Sequence, residues 1–113
     1  PTFSEQVGQK ISRQDDLFSF TVEPFMLEQN GVLANGVLTE ILTRITQQLM
    51  VNSGRSLIID QLMIYFFQAV QIDDLLHIQP RIIRQTRRTA IIDFEMYLEA
   101  MLVAKATITV KIN

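Results

Sequence analysis

The feature that most restricts how this chain can fold is a change of hydrophobic period near Arg55. From Gly36 onward the apolar residues Val37, Leu38, Ile41, Leu42, Ile45 and Leu49 recur at spacings of three and four, which gathers them on one wide helical stripe. Asn35 stands where such a helix would be capped. Asn52 and Gly54, which accept left-handed backbone angles, stand where it would end. Beyond Arg55 the pattern is that of strands. Ser56 to Ala69 is apolar on both parities, with Leu62, Ile64 and Phe66 on one side and Met63, Tyr65 and Phe67 on the other, as in a strand covered on both faces. Leu75 to Thr86 follows, and Arg87 and Arg88 mark a turn. Thr89 to Glu99 then alternates, with Ala90, Ile92, Phe94, Met96 and Leu98 inward and Asp93, Glu95 and Glu99 outward. After a tight hairpin at Ala100 and Met101, the last strand sets Leu102, Ala104, Ala106, Ile108 and Val110 opposite Lys105, Thr107, Thr109 and Lys111.

Ahead of the helix, Leu17 to Val22 is aromatic and β-branched, a first strand stopped by Pro24. Residues 1–16 read as a linker or a short helix carrying Phe3, Val7 and Ile11, and residues 17–113 as one domain. An amphipathic helix followed by an antiparallel meander predicts an α+β fold in which the sheet wraps around one long central helix. A strand that is apolar on both faces needs a second cover, and a symmetric partner subunit would supply it.

Composition narrows the function. The 113 residues include no cysteine and one histidine, His77, which leaves too few nitrogen and sulfur ligands for a zinc site and rules out thiol catalysis. A reducing cytoplasm is therefore the expected location. Ten basic residues against twelve acidic ones give a net charge of −2, so a direct nucleic-acid surface is not expected. The apolar runs have the length of strands, and neither a membrane span nor a signal peptide is read here. The start at Pro1 reads as a segment cut from a longer polypeptide.

The stretch Gly31-Val32-Leu33-Ala34-Asn35-Gly36-Val37-Leu38 lies between the first strand and the helix. Together with the order of elements along nearly the whole chain, it resembles the hotdog thioesterase superfamily. More specifically, Val22-Glu23-Pro24-Phe25-Met26, Asn35-Gly36-Val37-Leu38-Thr39, Ile64-Tyr65-Phe66 and Val70-Gln71-Ile72-Asp73 resemble the C-terminal hotdog domain of bacterial proteins that also carry DRTGG and CBS domains. The resemblance implies an acyl-CoA-binding homodimer or tetramer serving as the sensing and dimerisation domain of a larger, transcriptional type of regulator. It implies no cofactor beyond the CoA thioester itself, as ligand or substrate.

Set on the family pattern, Gly31 takes the first loop glycine, and Asn35 and Gly36 take the glycine pair. Glu28 stands in place of the loop asparagine, Ala34 in place of the histidine and Thr43 in place of the helix carboxylate that hydrolysis needs. Glu40 is the nearest carboxylate that could substitute as the catalytic group, although its spacing from Arg44 equally suits a surface ion pair. Gly31, Asn35, Gly36, Val37 and Thr43 are the expected substrate contacts. Gly36 allows close approach to first-turn amides that can polarise a carbonyl, or else the glycines simply permit a turn. Arg84, Arg87 and Arg88, beside Arg81, are the candidate ligands for the CoA phosphates, or else a solvated hairpin tip balanced by Asp93 and Glu95. Met63, Tyr65, Phe66 and Phe67 either line an acyl tunnel or pack a core or dimer contact. A thioesterase and a purely structural dimerisation domain remain the rival readings.

Overall fold

The computed structural model describes residues 2–50 and 54–113. Helix α1 (Phe3–Gln9) opens the chain, and Thr2 caps it by accepting a hydrogen bond from the Glu5 amide at 3.1 Å. Strands β1 (Ser12–Gln14) and β2 (Leu17–Thr21) form a short hairpin, and a single 3₁₀ turn covers Pro24–Met26. Helix α2 (Asn35–Leu49) is followed by β3 (Leu57–Phe66), β4 (Leu75–Gln85), β5 (Thr89–Leu98) and β6 (Met101–Ile112). All six strands join one antiparallel sheet in the order β1-β2-β4-β5-β6-β3.

The described residues thus hold two α-helices, where the sequence suggested a sheet around one. On α2 the apolar stripe lies where its period put it: Val37, Leu38, Ile41, Leu42 and Ile45 are buried. They share one core with Phe18 and Phe20 of β2, Ile78 of β4, Ile92, Phe94 and Met96 of β5, and Ile108 of β6. Register makes the inner sheet surface complementary in volume. Phe94 lies beside Ala106 and Met96 beside Ala104, so each large side chain has a small neighbour on the next strand.

Several local expectations change. Ala34, not Asn35, is the N-cap of α2, and no side chain caps it. Asn35 is already helical, because Ala34 is the residue held in extended geometry, its amide donating a hydrogen bond to the Met26 carbonyl at 2.9 Å. The helix ends at Leu49, with the Met50 amide bonded to the Thr46 carbonyl. Gly54 does take a left-handed φ of 63°, but it turns the chain into β3 and does not close the helix; Asn52 lies outside the described residues. The β5–β6 turn is Glu99–Ala100, since Leu98 pairs with Met101, and Glu99 accepts a φ of 52°.

The larger correction concerns β3. Only β4, β5 and β6 form a meander; β3 pairs with β6 alone and lies at the sheet edge. Its inner side chains Leu62, Ile64 and Phe66 pack on the core, whereas Met63, Tyr65 and Phe67 are 70%, 63% and 55% exposed. The strand is apolar on both faces, yet within one chain only one face is covered.

Helix α1 lies on α2 and buries Val7. Arg44 donates from Nε to Glu40 at 3.1 Å and from Nη2 to Ser4 at 2.6 Å, and the Ser4 hydroxyl donates to the same Glu40 carboxylate. The guanidinium is seated under Gly8, where an added Cβ would come within 2.5 Å of Nη1. Arg44→Ala should therefore destabilise the fold by about 1 kcal/mol, a modest loss because the pair is partly open to water. Urea denaturation checks this, and a loss indistinguishable from zero would mean that this network does not hold α1. Among the described residues, no helix is long and apolar enough to cross a membrane.

Candidate functional site

The site grows from the way the loop before α2 is tied down. Residues 28–31 make a tight turn, in which the Gly31 amide donates to the Glu28 carbonyl and the Glu28 amide to the Val32 carbonyl, both at 2.9 Å. Asn30 reinforces the turn by accepting from the Val32 amide at 3.2 Å, and Gly31 takes the φ of 81° that the turn requires. Leu27 and Leu33 bridge across its base. From the other side comes the connection that leaves β3. The amides of Phe67 and Gln68 both reach the Val103 carbonyl, the Val70 carbonyl accepts from the Leu33 amide at 2.8 Å, and Val32 bridges to Gln71.

Docking these two segments leaves a cleft of about 360 Å³ at the start of α2. Glu28, Asn35 and Gln68 supply its polar wall, and Val32, Leu33, Phe66, Phe67, Ala69 and Val70 the remainder. The amides of Leu33 and Ala34 are consumed by Val70 and Met26, and the first bond within the helix is from the Leu38 amide to the Ala34 carbonyl. Among the described residues no acceptor meets the amides of Asn35, Gly36 and Val37. These are the unpaired donors of a helix start, with the positive end of the helix dipole behind them.

The sequence candidates fall in different places. Asn35 is in the cleft wall. Gly36 is exposed one residue along, where an added Cβ would meet nothing within 4 Å. Gly31 serves the turn, and the Val37 side chain is buried in the core. Thr43 is half-buried, with its hydroxyl donated to the Thr39 carbonyl at 2.8 Å. Glu40 is held by Arg44 and Ser4 beneath α1 and is not among the cleft residues. His77 lines a separate cleft with Asp73, Asp74 and Glu99, and its Nδ1 is buried without a partner. Partial burial, together with the neighbouring Glu95 carboxylate, pushes the Tyr97 phenol above its ordinary value, away from the cleft on the outer sheet face.

Arg84, Arg87 and Arg88 are all exposed at the β4–β5 tip, where Arg55 donates to the Arg87 carbonyl at 2.7 Å. The pairings place this tip far from the cleft. Phe66 lies beside Ala104, whereas Thr89 lies beside Lys111, about 23 Å further along β6 at ~3.3 Å per residue. Within one chain the arginines and the cleft occupy opposite ends of the sheet. The sequence singled out neither Gln68 nor Ala69, and it noted Glu28 only as a replaced asparagine. A polar residue following an apolar strand was the one available signal for Gln68.

Comparison with known proteins places the fold in a class. No family model matches the chain. Among solved structures, a hypothetical thioesterase from Streptococcus pneumoniae, solved with coenzyme A, is 24% identical with a TM-score of 0.79, covering 91% of this chain and 84% of that one. The smu.793 protein of Streptococcus mutans, bound to acetyl CoA, is 19% identical with a TM-score of 0.80, covering 92% and 87%. Thioesterase superfamily member 2 of zebra fish is 18% identical with a TM-score of 0.85, covering 100% and 88%. The chain therefore has the hotdog fold that these structures share. In sequence it is 28% identical over 97 residues to the uncharacterized protein YtoI of Bacillus subtilis, a match spanning 85% of this chain and about a fifth (22%) of that relative.

Proposed function

We propose that this domain binds an acyl-CoA thioester at the start of α2, with the thioester carbonyl on the free first-turn amides. The observation that carries the reading is Gly36: its surroundings are open, so neither close packing nor a left-handed φ explains a glycine there. Access for a ligand to the backbone does. That the similar streptococcal structures were solved with CoA and acetyl CoA supports the same ligand class.

Two features favour holding the thioester over cleaving it. Thr43 stands where a carboxylate would be needed and donates its hydroxyl to its own helix, while Glu40 is engaged by Arg44 and Ser4. The arginine tip can join the site only through a second copy. If two β3 edges pair antiparallel about a two-fold axis, the Leu57 end of one strand meets the Phe66 end of the other. The partner's arginine tip then comes three or four strand spacings from this cleft, roughly 14–19 Å at ~4.8 Å per strand. The same pairing sets Met63, Tyr65 and Phe67 beside the outer side chains of the partner strand and leaves the face itself open. Where further domains are attached, as the greater length of the Bacillus subtilis relative suggests, such a dimer would report ligand occupancy to them, a sensing role for a regulator.

The test is thermal unfolding of the purified chain with acetyl-CoA and with free CoA. Ligand at a hundred times Kd should add about 2.7 kcal/mol of apparent stability. Replacing Arg84, Arg87 and Arg88 together by alanine should weaken free CoA at least tenfold. A melting temperature unmoved by any CoA ester would leave only a structural dimerisation domain. Steady hydrolysis of acetyl-CoA in the same samples, lost on Glu40→Gln, would instead establish a thioesterase.

A further inference from the structure

The acyl end of the site carries one ionisable group. Of the residues lining the cleft at the start of α2, only Glu28 bears a charge; Asn35 and Gln68 are neutral amides and the rest are apolar. Its position is held by the backbone, since its amide and carbonyl are both committed to the turn of residues 28–31. Among the described residues its side chain has no partner. The ion pairs of the described residues join Lys10 to Glu23, Arg44 to Glu40 and Lys111 to Asp60, and no side-chain hydrogen bond reaches the Glu28 carboxylate. The arginine tip of the same chain lies at the far end of the sheet, and a partner's tip, outside the cleft, would be taken up by the CoA phosphates.

We infer that Glu28 sets the acyl specificity of this cleft, admitting short uncharged or hydroxylated acyl groups and rejecting those that end in a carboxylate. The inference rests on the acyl-thioester reading above and sharpens it. At about 360 Å³ the cleft is near the lower end of ligand-site volumes, so it suits a short acyl group with the rest of CoA outside. An acyl chain running from the α2 amides into the Phe66, Phe67 and Val70 wall passes the Glu28 carboxylate. A second carboxylate beside it would lose its hydration to an apolar wall and meet a like charge without a counter-ion. A terminal hydroxyl meets an acceptor in Glu28, and an apolar terminus meets the aromatic wall. The charge is exposed, so the repulsion is partly screened and falls as salt rises.

Butyryl-CoA and succinyl-CoA, which differ in a terminal methyl against a carboxylate, isolate the effect. Calorimetric titration of the whole chain at low salt should show succinyl-CoA binding at least tenfold more weakly than butyryl-CoA. Glu28→Gln should bring the two within about threefold, because it removes the charge and keeps the shape. Apolar desolvation alone would leave the gap unchanged in Glu28→Gln, and that result overturns the assignment to Glu28. Equal binding of both esters by the unaltered chain also overturns it while leaving the thioester site standing. If neither ester binds, the site itself is wrong and the inference goes with it.

Discussion

Phe94→Ala is expected to cost about 3–5 kcal/mol of folding stability. Phe94 is fully buried near the middle of β5, between Pro80 of β4 and Ala106 of β6. Its removal leaves a hole that the short side chain of Ala106 cannot fill, under a helix whose own apolar stripe is already buried. Rearrangement is also limited because both neighbouring strands are paired through this position. Domains of this size are stable by only about 5–15 kcal/mol, so the loss is a large part of the whole. Urea denaturation would show it as a lower midpoint at similar slope, and thermal melting as a fall of roughly 10 °C or more. A cost below about 1 kcal/mol would contradict the placement of Phe94 at the centre of the core.

Gly36→Val should leave the fold nearly untouched and remove at least tenfold of the affinity for acyl-CoA. The fold tolerates the change because the added Cβ meets nothing, the backbone is ordinary helix, and valine has a slightly better helix propensity than glycine. Binding suffers because two methyl groups then stand over the amides of Asn35, Gly36 and Val37. Gly31→Val is the contrast. Its φ of 81° makes any Cβ costly, so stability falls by roughly 1–2 kcal/mol while the cleft wall keeps its residues. Melting temperature and acetyl-CoA titration of the two variants side by side separate these effects. Unchanged affinity in a well-folded Gly36→Val protein would remove the carbonyl site from the start of α2.

Much of the site's framework was legible because it is local. The turn at residues 28–31 is signalled by Gly31, and the helix that supplies the amides by the stripe from Val37 to Leu49. Asn35 was misjudged as a cap by one residue. Its side chain competes well for capping in general, but here the Met26 carbonyl takes the Ala34 amide and moves the helix start back. The cleft was not legible. Gln68 to Val70 come to α2 only because the chain leaving β3 passes the end of the sheet and bonds to Leu33, thirty-seven residues earlier than Val70 in sequence. Arg84, Arg87 and Arg88 show the converse: a cluster obvious in sequence stands at the wrong end of its own chain for the site it was assigned to.

Taken alone, the sequence determined the kind of each main element, since helix and strand periods and turn chemistry depend on residues within a few positions of one another. It also determined which faces of α2, β5 and β6 are apolar. Tertiary structure decided that β3 pairs with β6 at an edge, that its outer aromatic face is left uncovered, and that Glu28, Asn35 and Gln68 share one cleft. Strand order and cleft lining depend on pairings between distant segments, and a hydrophobic period states which side of a strand is buried without stating which strand lies beside it.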